Sequence, residues 1–254
     1  MKIGVIGLGL IGGSIFKRIY MDKKYDVVGI SDDVRHDCVT SDFNALKACD
    51  VVFVCVPMNA ALEVLEKIDE ILDKTAIVTD VCSLKEFLTN RKYNYKFIPA
   101  HPMAGSEKQG FENSSSEMFE DAKWIFTPLE NTASGDIKCL ESVINDFGAS
   151  VIFMSPQEHD RAVALISNLP LVVSQALCAN IENDEFAKTL AASGFRDTTR
   201  LAMSNCEMAN DMVNINHANI DIAIQSFKSS LDKLLETDYL QNAKRIKTFR
   251  KNLY

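Results

Sequence analysis

Gly7-Leu8-Gly9-Leu10-Ile11-Gly12 restricts what this chain can fold into more than any other stretch. It follows a short apolar run, Lys2–Ile6, and opens a stretch of helical character, Leu10–Tyr20. Gly7 permits a tight turn, Gly9 lets the main chain approach a pyrophosphate, and Gly12 lets helix and strand pack closely. The helix N-terminus that follows favours negative charge. A lone G-x-G-x-x-G is weak. Between a strand and a helix, with acidic residues ~20 positions later, it predicts a dinucleotide-binding turn. Leu10 and Ile11 lie in the same turn and are counted with the three glycines as cofactor contacts.

The end of the second strand selects the dinucleotide, and here it reads Gly29-Ile30-Ser31-Asp32-Asp33. A carboxylate at a strand tip accepts hydrogen bonds from ribose hydroxyls and repels a 2′-phosphate. Asp32 suits that role and favours NAD. Ser31 at the tip tolerates a phosphate that Arg35 could pair, so NADP stays open.

Further strand candidates are Val27–Ile30, Asp50–Val56, Thr75–Val81, Lys96–Ala100, Lys123–Thr127 and Ser150–Met154. Helical stretches lie between several of them, notably Asn59–Leu72, with Leu62, Leu65, Ile68, Ile71 and Leu72 at helical spacing. Strand–helix alternation with nearly continuous apolar strands predicts a parallel sheet buried on both faces. Beyond Ser155-Pro156 strand candidates vanish, and Gln157–Ile181, Glu185–Ala192, Cys206–Asn219 and Ile220–Leu235 read as helices. Pro170 should kink or break the first of these. The expected architecture is an α/β Rossmann-type dinucleotide-binding domain, residues 1–155, followed by an all-α domain, residues 156–254. A helical unit of that size is marginal alone and favours packing against a second chain.

Composition narrows the partners. With 35 acidic against 27 basic residues and a net charge of −8, nucleic acid is disfavoured. The basic cluster Lys244, Arg245, Lys247, Arg250 and Lys251 reads as a solvated helix end. The longest unbroken apolar run, Val51–Val56, has six residues, against the ~18 that a membrane span needs. The N-terminus lacks the features of a signal peptide. Seven cysteines with no C-x-x-C pair suit small buried hydrophobes in a reducing compartment. A cytoplasmic protein is expected, with no membrane partner and no metal.

Two polar segments follow strand candidates and should face the crevice at the strands' carboxyl ends: Asp80-Val81-Cys82-Ser83-Leu84-Lys85 and His101-Pro102-Met103-Ala104-Gly105-Ser106-Glu107. His101 can take a hydroxyl proton as hydride leaves the carbon, or merely cap a loop. Ser83 can bond the same hydroxyl or the cofactor amide, or cap a helix. Lys85 reads as a surface residue of the following helix. A third segment, Gly194-Phe195-Arg196-Asp197-Thr198-Thr199-Arg200, carries two arginines suited to a small carboxylate, or forms a solvated helix start. His159-Asp160-Arg161 reads as an ordinary helical surface.

Taken in order, these segments resemble the prephenate dehydrogenase family, which includes the arogenate dehydrogenases of tyrosine biosynthesis. The resemblance rests on Gly7-x-Gly9-Leu10-Ile11-Gly12-Gly13-Ser14, Asp80-x-x-Ser83-x-Lys85, His101-Pro102-Met103-Ala104-Gly105-Ser106-Glu107, Glu158-His159-Asp160 and Gly194-Phe195-Arg196-Asp197-x-Thr199-Arg200. It implies oxidative decarboxylation of prephenate to 4-hydroxyphenylpyruvate, with hydride passed to NAD. It makes His101 and Ser83 catalytic and Arg200 the binder of a substrate carboxylate, with Glu107, Arg196 and Asp197 at the pocket rim. It implies a homodimer joined through the helical domain. The family often carries His-Leu-Pro-His where this chain has Asn168-Leu169-Pro170-Leu171, which blurs the choice between prephenate and arogenate. The rival readings are an arogenate dehydrogenase, a β-hydroxyacid dehydrogenase and an NAD-sensing regulator without turnover.

Overall fold

The computed structural model describes residues 1–105 and 108–253. Strands β1 (Lys2–Ile6), β2 (Asp26–Ile30), β3 (Val39–Thr40), β4 (Val51–Val54), β5 (Ile77–Asp80) and β6 (Lys96–Phe97) form a six-stranded sheet. Every pairing in it is parallel, and the order is β3-β2-β1-β4-β5-β6. Ile6 lies opposite Ile30 on one side and Val54 on the other. Strand order reverses at β1, which opens a crevice beyond the carboxyl ends of β1 and β4.

The strands are apolar because both faces of the sheet are covered. On one face α2 (Met58–Asp69) lays Ala61, Leu65 and Ile68 over Val52, Val54 and Val78. On the other, Ile15, Phe16 and Ile19 of α1 (Leu10–Asp22) share a core with Phe53, Trp124 and Phe147. Leu140, Val143 and Ile144 of α3 (Ser134–Asp146) close that layer.

The remaining strand candidates leave the parallel sheet. β7 (Ala100–Pro102), β8 (Lys123–Phe126) and β9 (Ser150–Phe153) form a separate three-stranded sheet, in which β7 runs antiparallel to β8. The run expected as one strand over Lys96–Ala100 is divided at Pro99. Ile98 still donates to Val78 in the first sheet, whereas the Pro99 carbonyl accepts from Thr127. Proline has no amide to continue the first ladder, so the chain changes sheets there.

The second half is helical: α4 (Pro156–Val163), α5 (Leu169–Asn180), α6 (Glu185–Leu190), α7 (Ser193–Thr198), α8 (Cys206–Ile215), α9 (His217–Glu236) and α10 (Tyr239–Leu253). A capping box starts it. Ser155 Oγ accepts from the Glu158 amide, and the Glu158 carboxylate accepts from the Ser155 amide at 2.9 Å. Pro170 does not end the helix, and the irregularity expected around it takes the form of a change of winding just before it. A π-turn, Ala164–Asn168, joins α4 to α5, and the Leu169 amide reaches back to Ala164. The wider turn relieves the clash of a proline ring with the carbonyl four residues earlier.

Pro156–Asn180 is therefore one continuous helix of 25 residues, long and apolar enough by length and composition to cross a membrane. The short unbroken apolar runs had suggested no such helix. Two of its buried polar side chains accept hydrogen bonds from later parts of the helical half. Asn168 Oδ1 accepts from Asn216, and Ser174 Oγ accepts from the Ala202 amide. Leu165 and Ile166 face outward on the same helix. The helical half keeps a small private core of Ala164, Ile220 and Ala223. Phe186, Leu190, Met203 and Leu235 stand uncovered, each more than three-quarters exposed. The basic cluster lies on the exposed surface of α10.

The glycine turn yields a test of this packing. A Cβ on Gly12 would strike the Gly7 carbonyl and the Cβ of Cys55, whereas one on Gly9 would meet nothing within 4 Å. Gly12→Ala is expected to lower stability by about 2 kcal/mol or more, and Gly9→Ala to leave it within about 0.5 kcal/mol. Urea denaturation of the two variants measures both.

Candidate active site

β5 ends on Asp80, which is fully buried, and the loop after it returns to Lys85, also fully buried. The Lys85 ammonium donates to the Asp80 carboxylate and, at 2.6 Å, to the Ala100 carbonyl. Asp80 also accepts from the amides of Cys82 at 2.8 Å and Ala100 at 3.1 Å. Both backbone groups of Ala100 are thereby held by one ion pair. His101 is the next residue, in the middle of β7 opposite Ile125.

The His101 ring meets the helical half. Its Nδ1 lies 2.9 Å from His159 Nε2, and His159 Nδ1 lies 2.7 Å from Asp160 Oδ1. His159 and Asp160 are buried. The Asp160 carboxylate also accepts from the amides of Lys85 at 2.8 Å and Glu86 at 2.9 Å, capping the 3-10 turn Glu86–Leu88 from outside. Asn216, between α8 and α9, donates to the Asp160 carbonyl at 2.9 Å. Burial, above all, and the Lys85 charge hold the His101 imidazole well below the usual histidine range, so it is neutral. Burial pushes the Cys82 thiol well above its ordinary value, which removes it as a nucleophile.

Two readings from sequence are overturned here. Lys85 is not a surface residue: its charge is taken up by Asp80. His159-Asp160 is not an ordinary helical surface. α4 is short and largely polar, and the face it buries carries those two side chains while Arg161 points outward. A histidine followed by an aspartate, just after a capping box, was the available signal. Ser83 lies half-buried on the loop between Asp80 and Lys85 and does not cap the following turn, whose amides Asp160 takes.

At the crevice, Gly7 adopts φ +83°, a left-handed conformation that glycine tolerates. Gly9 precedes α1 without a side-chain cap, and a Cβ there would meet nothing within 4 Å, so the first turn of this 13-residue helix has no side-chain partner at its N-terminus. Gly7, Leu8 and Gly9 border a cleft of about 790 Å³ lined also by Ser31, Asp32, Asp33 and Arg35, whereas Leu10, Ile11 and Gly12, expected as cofactor contacts, are not among its lining residues. The Ser31 hydroxyl accepts from the amides of Asp33 and Val34 at 3.3 Å, leaving Asp32 exposed at the strand tip. The far wall, Gly110–Glu112, is tied down by Lys17, which donates to the carbonyls of Phe111 at 3.0 Å and Ser114 at 2.9 Å. A cradle with unfilled amides, open space at Gly9 and a carboxylate at the β2 tip fits a dinucleotide.

The third polar segment lies on the exposed surface of the helical half. Arg196 and Asp197 on α7 are 81% and 78% exposed and lie 3.9 Å from each other. Arg200 opens the 3-10 turn Arg200–Met203 and is exposed. Among the described residues no hydrogen bond or ion pair joins these three to His101 or Ser83. Glu107, expected at the pocket rim, lies with Ser106 outside the described residues.

Comparison with known proteins agrees with this layout. Residues 23–153 match the family described as prephenate dehydrogenase, nucleotide-binding domain, and residues 155–252 that described as prephenate dehydrogenase, dimerization domain. The chain is 30% identical over 250 residues to the prephenate dehydrogenase of Bacillus subtilis (strain 168), covering 90% of this chain and 67% of that protein. It is 30% identical over 253 residues to the cyclohexadienyl dehydrogenase of Zymomonas mobilis, covering 91% and 86%. Among solved structures it is similar to prephenate dehydrogenase from Aquifex aeolicus in complex with hydroxyphenyl propionate and NAD+. That match has 28% identity and a TM-score of 0.87, over 100% of this chain and 98% of that one. The arogenate dehydrogenase of Synechocystis matches with 31% identity and a TM-score of 0.81, over 99% and 97%.

The buried pair under His101 is open to direct measurement. Lys85→Met strands the Asp80 carboxylate away from water and is expected to cost about 3–5 kcal/mol. Adding Asp80→Asn should recover most of that loss. Urea unfolding of the single and double variants at pH 7 decides the point, and a single variant as stable as the parent would contradict it.

Proposed function

The chain belongs to the prephenate dehydrogenase family, and from that membership we propose that it oxidises prephenate with NAD+, releasing CO2 and 4-hydroxyphenylpyruvate. The observation that carries this reading is a neutral imidazole, His101, held next to the ion pair at the carboxyl end of β5, in a domain that also has a glycine-lined cleft at the carboxyl ends of β1 and β2. When bound, NAD+ supplies the hydride acceptor.

The open amides of α1 and the space at Gly9 receive the pyrophosphate, and Asp32 accepts from the ribose. Ser31 sits at the same strand tip. His101 Nε2 takes the proton of the ring hydroxyl while hydride leaves the same carbon. Ser83 bonds that hydroxyl and keeps it aligned. The carbon–carboxylate bond then breaks, its electron pair enters the ring, CO2 departs, and the ring oxygen takes its proton back from His101. The ring becomes aromatic, so the step runs downhill once the base and the substrate are aligned. Arg200 pairs with a substrate carboxylate, and Arg196, Asp197 and Glu107 border the pocket. On a protein of net charge −8, a dianionic substrate needs such a local concentration of positive charge.

Arogenate is the second reading, favoured by the likeness to the Synechocystis enzyme. Asn168 does not decide between the two, because its side chain is buried against Asn216. We take residues 1–155 as the dinucleotide-binding domain and 156–254 as the helical domain, and propose a homodimer joined through the latter. The uncovered Phe186, Leu190, Met203 and Leu235 support that assembly, as does the dimerization-domain match. All seven cysteines are free, which suits the cytoplasm.

Absorbance of reduced cofactor, followed with prephenate or arogenate and NAD+ or NADP+ in all four pairings, tests the reaction. Turnover is expected with prephenate and NAD+, and cofactor binding without turnover in any pairing would favour a sensor. Because His101 is held neutral, the acid limb of kcat/KM should lie well under the pH ~6.5 of an ordinary histidine. His101→Asn should lose that limb and about 10²–10⁴-fold in kcat. Arg200→Ala should chiefly raise KM, and an unchanged KM would remove Arg200 from carboxylate binding.

A further inference from the structure

We propose that His159 and Asp160, on the helical half, are positioning residues that fix the tautomer of His101. The inference rests on the reading of His101 as the base and extends it to residues that touch neither substrate nor cofactor. It starts at the Asp160 carboxylate. That group already accepts from two backbone amides, those of Lys85 and Glu86, which have only protons to offer. Its third contact, to His159 Nδ1 at 2.7 Å, therefore places a proton on that nitrogen. A neutral imidazole has one N–H, so His159 Nε2 carries a lone pair. That lone pair faces His101 Nδ1 at 2.9 Å, and the contact is a hydrogen bond only if His101 Nδ1 is protonated. His101 is neutral, which leaves Nε2 bare. Nε2 is the nitrogen that must accept the hydroxyl proton.

Without this chain a neutral imidazole divides itself between two tautomers, and the one carrying Nε2–H cannot act as a base. The same chain helps once the proton has arrived. The imidazolium then donates through Nδ1 to His159, whose other nitrogen donates to an anion. Among the described residues the charged groups around His101 are the Lys85 ammonium, paired with Asp80 on the β5 side, and the Asp160 carboxylate behind His159 on the helical side. Asp160 also caps the 85–86 turn, so its replacement would mix a structural loss with the tautomeric one. His159 is the cleaner probe. Gln at that position keeps an acceptor for His101 Nδ1–H, and Leu removes it.

The test is a long-range proton–nitrogen NMR spectrum of the full-length protein carrying ¹⁵N-histidine, without substrate, at pH 7.5. The chain has four histidines, and His101→Asn identifies the His101 signals. The expected result is a neutral His101 with its proton on Nδ1. In His159→Leu the His101 signals should shift to a mixture of tautomers. Its kcat should fall about 10–100-fold, within the range a general base supplies, with KM and the NAD+ dissociation constant near the parent values. His159→Gln should restore a single tautomer and most of kcat. A proton on His101 Nε2 in the parent, or a doubly protonated His159, overturns the proposal. So does a His159→Gln variant as slow as His159→Leu. An Nδ1–H tautomer in a protein that turns over none of the four substrate pairings would leave the tautomer assignment standing and sink the assigned reaction instead.

Discussion

Lys85 is the residue on which the site depends. Its ammonium is wholly withdrawn from water, which costs several kcal/mol for an ion of that size. The cost is offset because the Asp80 carboxylate and the Ala100 carbonyl meet the charge directly, and because Asp80 is itself bonded by two amides. Its backbone amide, meanwhile, donates to Asp160. One residue thus joins the end of β5, the start of β7 and the first helix of the second half. His101 lies among these three and inherits its position from them. The same cation helps to keep the imidazole unprotonated, so the device that places the base also keeps it in its active form.

The features readable from sequence are those that depend on near neighbours. The glycine turn, the acidic strand tip, the apolar strands and the helical character of the second half were all legible because each is written within a few residues. The family resemblance was legible for the same reason, as an ordered series of short motifs. What escaped depends on distance along the chain. Nothing near Lys85 reveals that Asp160, 75 positions away, will cap its turn, or that His159 will meet His101 from 58 positions away. Lys85 looked like a surface lysine because most lysines are. Pro170 signalled an irregular helix, but the π-turn that absorbs it could not be read from the proline alone.

The arginine segment shows a different limit. Residue type pointed to Arg196 and Arg200 as carboxylate binders, and in the protomer both are exposed, with no hydrogen bond or ion pair to His101 among the described residues. The sequence carries the chemistry of a side chain more directly than its position. The two halves also differ in how they are stabilised. The parallel sheet is sealed on both faces by its own helices, whereas the helical half has little core of its own and presents large apolar side chains outward.

The contact between His101 and His159 joins those two modes of stabilisation. In the dimer we propose, α4 belongs to the half whose outer surface is covered by association, and α4 carries the imidazole that orients the base. A group that binds the folded state and not the unfolded one stabilises it by mass action. In that proposed dimer the second protomer would be such a group for the helical half. In such a dimer proton removal would follow the same law of concentration as assembly, and dilution would weaken the chemistry before it weakened the nucleotide cradle.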